Sequence, residues 1–102
     1  MRLIATARLD KVRPVLVLTR PSAGHRFAWV SVAPISSTIR GLSPEVPLDA
    51  RNGLDHPCVA NCDAIQTIPV SDLGDTIGLF SDDHEPALTR AIHDAFYLVG
   101  GE

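Results

Sequence analysis

Two short stretches hold the residues best suited to chemistry. In the first, Arg13-Pro14 follows the turn Asp10-Lys11-Val12 and opens an apolar run that ends at Thr19. In the second, WVSVAPISSTIRGL over 29–42, an alternating apolar segment reaches Pro34 and then presents Ser36, Ser37, Thr38 and Arg40. A guanidinium and several hydroxyls gathered at strand ends can hold a phosphate, because arginine offers a planar fork of donors that matches phosphate oxygens. Each stretch also has a plainer explanation. Ser and Thr in a turn bond their own backbone, and an arginine just after Asp10 can simply pair with it.

These residues have to be held by something, and the pattern around them is that of short strands. Residues 3–9 alternate and read as a strand, Asp10-Lys11 as a tight turn, and 13–19 as a strand buried on both faces. Residues 21–26, with Ser22 and Gly24, read as a loop. The strand from Trp29 is expected to stop at Pro34, which has no N–H for a ladder. Further short strands are expected over 45–48, 58–62, 67–69 and 75–80, with a turn at Arg51-Asn52-Gly53 and a polar interruption from Asp63 to Gln66. One helix is expected at the end. Ser81 or Asp82 caps it, acids fill its first turn, and Leu88, Ile92, Ala95, Phe96 and Val99 form its apolar face. Gly100-Gly101 is expected to stop it. The fold class is therefore mainly β with a C-terminal helix (α+β). Five to seven short, mostly antiparallel strands form a strongly bent sheet or open barrel, one domain over 1–102.

Composition narrows the function classes. The 102 residues are 45% apolar and 21% charged, ordinary for a globular chain. No apolar run approaches the roughly 20 residues of a membrane span, and the N-terminus lacks the apolar core of a secretory signal. The expected compartment is the cytoplasm. Residues 1–51 carry eight Lys/Arg against three acids, and residues 52–102 one base against nine acids, so a net charge of −3 conceals a +5 half and a −8 half. That fits a local anion site better than a general nucleic-acid coat. Cys58 and Cys62 are expected to be reduced core thiols. A disulfide within one extended strand is geometrically poor, and His56 has no second Cys/His pair to close a metal site. No metal or cofactor is expected. Trp29 reads as core, His84 and His93 as solvated helix residues, His56 as a turn residue before Pro57, and His25 as a loop residue near the site.

Four segments in one order resemble the MazF/PemK family of toxin ribonucleases from bacterial toxin–antitoxin pairs. They are KVRPVLVLTR, VAPISSTIRGLSPEVPL, VANCDAIQTIP and IGLFSDDHEPALTRAIHDAF. The resemblance spans nearly the whole chain. It implies an SH3-like open barrel, a homodimer, and metal-free cleavage of single-stranded RNA by the ribose 2′-hydroxyl, leaving a 2′,3′-cyclic phosphate and a 5′-hydroxyl. It also implies an antitoxin with an acidic, disordered C-terminal tail. Arg13 takes the family's catalytic arginine position. Ser36 takes the position usually filled by a catalytic threonine, with Ser37 able to substitute. Asp63 matches an aspartate that some members use in or beside the site, though the arginine they carry two residues earlier is Asn61 here. Lys11, Ser37, Thr38, Arg40, Asp63 and Gln66 are the expected RNA contacts. Asp63, Asp10 and Arg13 itself are the candidate acceptors for the 2′-hydroxyl proton. Two rivals share the architecture: a gyrase-poisoning toxin that is not a nuclease, and a catalytically dead SH3-like binding module.

Overall fold

The computed structural model describes residues 1–19 and 28–97. The expectations for the 21–26 loop, His25, Val99 and the Gly100-Gly101 stop lie outside the described residues. Among these described residues, seven strands and one α-helix follow in order: β1 Arg2–Arg8, β2 Val12–Val17, β3 Trp29–Ser36, β4 Glu45–Leu48, β5 Cys58–Asn61, β6 Gln66–Pro69, β7 Leu73–Phe80 and α1 Glu85–Phe96. The sheet runs β4-β5-β3-β2-β1-β7, with β6 also on β3, and the strand pairs are antiparallel. It is a curled sheet, open between β4 and β7. Register shifts between Ile4 and Ala5 and between Ala5 and Ala7, where β1 meets β7, add twist at that end.

The apolar run of β2 is buried on both faces because alternate residues enter different cores. Leu16 joins Ile4, Ile35, Phe80 and Leu88 in a cluster covered by α1. Val15 and Val17 join Val30, Val32 and Ile68 in a second cluster. Side chains one apart point to opposite faces, so one run serves two layers.

Pro34 does not end its strand. It lies inside β3 and sits opposite Val15 of β2. Leu18 N–H donates to the Ser31 carbonyl, and Ser31 N–H donates to Thr19 Oγ1, each at 2.8 Å. Odd-numbered residues of β3 therefore turn their backbone groups toward β2, and Pro34 turns its missing donor to the other edge. There β6 pairs up to Val32 and β5 begins at Ile35. Pro34 falls where one partner strand hands over to the next, so no ladder bond is lost.

The open side is bridged by the turn after β4. Asp49 and Asn52 close a reciprocal cap on the 3₁₀ turn Ala50–Asn52. The buried Asn52 side chain then donates to the Leu79 carbonyl of β7 at 3.2 Å. Backbones meet so closely here that a Cβ on Gly78 would lie 1.7 Å from the Asn52 carbonyl oxygen. Gly53 also takes the left-handed conformation (φ 88°) that glycine favours.

The helix differs in detail from the expectation. A 3₁₀ turn, Asp82–His84, leads into it, with Ser81 before that turn and His84 at the α1 cap position making no side-chain cap. Leu88 and Ala91 are buried and Ile92 and Ala95 partly so, but Phe96 is 57% exposed. The described helix ends at Tyr97, which takes a left-handed conformation and donates its N–H to the His93 carbonyl. His84 is not a solvated helix residue; its ring packs on Phe80 at 5.6 Å.

Candidate active site

Arg13 is the second residue of β2 and Ser36 the last of β3. Val15 faces Pro34 at the end of the β2–β3 ladder, and Arg13 and Ser36 each lie two residues beyond that pair. Both side chains line one cleft at this end of the two strands.

Asp10 takes Arg13 in a fork, with Nε donating to Oδ1 at 2.8 Å and Nη2 to Oδ2 at 3.0 Å. Oδ1 also accepts the Lys11 backbone N–H at 2.9 Å. The guanidinium holds the Asp10 carboxyl well below the usual carboxylate range, and the carboxylate raises Arg13 in turn. Both stay charged, and the fork fixes the plane of the guanidinium while its remaining N–H donors are uncommitted to Asp10. Ser36 Oγ accepts the Thr38 N–H at 3.0 Å. That bond occupies the hydroxyl as an acceptor and leaves its own proton to donate.

A cleft of about 660 Å³ opens over this pair. Lys11, Arg13, Ser36, Ser37 and Thr38 line it. A further wall comes from the stretch after β4 and includes Asp55 and His56, which were not among the expected site residues. His56 Nδ1 is in hydrogen-bond contact with Asp55 Oδ1. The only sequence signal for this wall is an Asp-His pair before a proline. It gains significance when Asn52 and Gly53 fasten the turn across β7.

Arg40, Asp63 and Gln66 do not line the cleft. The Glu45 carboxylate gathers the backbone N–H groups of Arg40, Gly41 and Leu42 at 2.9–3.3 Å, which draws the turn after Thr38 toward the start of β4. Asp63 lies in the 3₁₀ turn Cys62–Ala64, where Asn61 Oδ1 accepts its N–H at 3.0 Å. Gln66 opens β6 and pairs in register with Val32. Trp29 is not core; it is 57% exposed, at the end of β3 remote from Ser36.

Cys58 and Cys62 are free and buried. Burial raises the Cys58 thiol and pushes Cys62 up to about 11, which suits inert core thiols. Among the described residues no group of three or more His, Cys, Asp or Glu is placed to hold a metal ion. Among the same residues no helix is long and apolar enough to cross a membrane.

Over residues 4–96 the sequence matches the family described as PemK-like, MazF-like toxin of type II toxin–antitoxin systems. The chain belongs to that family. A curated relative, endoribonuclease MazF3 of Mycobacterium tuberculosis, is 55% identical over 98 residues, covering 96% of this chain and 95% of the relative. The solved Mycobacterium tuberculosis toxin MazF-mt6 superposes with a TM-score of 0.92 at 54% identity, covering 97% of this chain and all of that one. A solved endoribonuclease in complex with its cognate antitoxin, from a mycobacterial species, has the same fold at 21% identity. Its TM-score is 0.83, over 96% of this chain and 94% of that one. The sheet and helix of this chain are thus the fold of the toxin family.

Proposed function

We propose that this toxin endoribonuclease cuts single-stranded RNA by transesterification in the Arg13–Ser36 cleft. The observation that carries the reading is the juxtaposition of a fixed guanidinium and a free hydroxyl proton at adjoining strand ends, with Lys11 beside them. The 2′-oxygen loses its proton and bonds to phosphorus, the bond to the 5′-oxygen breaks, and that oxygen takes up a proton. Arg13 stabilises the negative charge that gathers on the non-bridging oxygens as the phosphorane forms. Ser36 donates to one of these oxygens and fixes the phosphate for in-line attack. Asp10 orients Arg13; with its carboxyl held so far down by the guanidinium, it is a weak proton acceptor. Asp63 lies off the cleft wall, which weighs against it as the acceptor.

The same cleft attracts carboxylates, because the guanidinium fork suits both anions. An antitoxin with an acidic, disordered tail would suit it on charge, and the cognate-antitoxin complex of the 21%-identical solved relative supports an antitoxin partner. Homodimer formation follows the family, and it is supported by exposed Leu3 and Leu79, paired across β1 and β7. The compartment of action is the cytoplasm, where both RNA and antitoxin are found. Incubating the purified chain with RNA separates this reading from a gyrase poison or an inactive binding module, neither of which cuts it.

A further inference from the structure

We propose that Asp55, backed by His56, reads a guanine base next to the scissile phosphate. This rests on the RNA-cleaving reading above and adds to it a residue that selects sequence. The starting observation is electrostatic. A cleft that holds phosphate with Lys11 and Arg13 also carries a carboxylate that repels phosphate. Asp55 is 92% exposed in its side chain, against 54% for His56. In a proton-transfer pair the carboxylate lies behind the imidazole. Here that order is reversed: the carboxylate is the outward group and the imidazole its support.

A carboxylate is an acceptor only, so its partner on RNA is an N–H group on a base edge. Guanine is the base whose Watson–Crick edge sets two N–H donors side by side, at N1 and N2, matching the two oxygens of a carboxylate. Asp55 Oδ1 accepts from His56 Nδ1 and keeps a second lone pair, and Oδ2 is not engaged by His56. The wall itself is well fixed. Asn52 ties the turn to β7, Gly53 and Gly78 allow the backbones to touch, and the Cys58 thiol donates to the His56 carbonyl at 3.4 Å. Bases splayed from a single strand are read by such fixed groups beside a backbone site.

The test maps cut sites of wild type, Asp55→Asn and His56→Gln on a random-sequence RNA pool. The same three proteins are then measured for binding of short 2′-O-methyl oligonucleotides, which cannot react, carrying guanine or inosine at the mapped position. Inosine lacks the N2 amino group. Wild type should favour guanine at one position flanking the cut, by roughly ten- to a hundred-fold, and should bind inosine more weakly. Asp55→Asn should lose that preference and that discrimination, with its cuts spread over all four bases at that position whatever its overall rate. His56→Gln should weaken the same position and no other. Wild type that cuts RNA with no guanine preference overturns the inference and leaves the nuclease reading intact, as does unchanged preference in Asp55→Asn. A His56→Gln protein slowed equally at every site overturns it too, by assigning His56 to the chemistry. Wild type that neither cuts RNA nor distinguishes the oligonucleotides defeats both readings.

Discussion

That Arg13 and Ser36 line one cleft was legible because the features that mark them are local. A proline beside the arginine, a buried run behind it, and hydroxyls at the end of a second strand are visible in a linear sequence, and antiparallel pairing of β2 with β3 brings the two strand ends to one cleft. Arg40 stands off the cleft for the opposite reason. Adjacency to Ser36–Thr38 counted toward the site, but the Glu45 carboxylate draws that backbone toward β4, an interaction no spacing rule displays. Asp55 and His56 were not selected because their place on the cleft wall depends on a turn fastened to a distant strand. Replacing Arg13 with Ala should lower the cleavage rate by about 10²–10³-fold, the loss seen when one preorganised charge-stabilising donor is removed. Arg13→Lys should recover only part of this, since an ammonium cannot form the fork with Asp10. Single-turnover rates on one defined RNA check both. Ser36→Ala should cost less than Ser36→Ala with Ser37→Ala if the neighbouring hydroxyl substitutes.

Strands, turn positions and the helix existed where periodicity placed them, and the departures came from tertiary partners. Pro34 continues β3 because the edge it faces changes strands at that point. β7 begins earlier than expected, at Leu73, because pairing with β1 overrides a weak alternation. The closest backbone approach, between the β4 turn and β7, makes a stability prediction. Gly78→Ala would drive a methyl into the Asn52 carbonyl and should cost about 1–3 kcal/mol by denaturant titration. Gly74→Ala should cost less, because the one close contact of its Cβ is the Thr6 hydroxyl, a side-chain atom that can rotate away. Helix attachment depends on pH. Arg2 forks Glu85 at 2.7 and 3.0 Å and lowers the Glu85 carboxyl, so this contribution is fully present above the ordinary carboxylate value and is lost as pH falls from there through the lowered folded-state value. Glu85→Gln should therefore destabilise at pH 7 by about 1 kcal/mol, allowing for partial exposure. That corresponds to about 4–8 °C in Tm, and the gap from wild type should close in strong acid. Thermal melts at the two pH values decide it.

At the scale of the whole molecule, the basic first half of the sequence supplies Lys11 and Arg13 to the cleft, and the acidic second half supplies Asp55. On the proposed reading, the basic residues hold phosphate and the carboxylate on the same wall selects among bases. The protein should assemble as a homodimer in solution; light scattering at micromolar concentration should give about twice the 11.0 kDa chain mass, and a monomer would contradict it. The central claim is metal-free transesterification in the Arg13–Ser36 cleft, and one measurement tests it most directly. Purified protein is incubated with a defined single-stranded RNA in excess EDTA and the ends of the fragments are identified. Cleavage that leaves 5′-hydroxyl and 2′,3′-cyclic phosphate ends, and that collapses in Arg13→Ala, is the predicted result. Cleavage that requires a divalent ion, or that leaves 5′-phosphate ends, would contradict it.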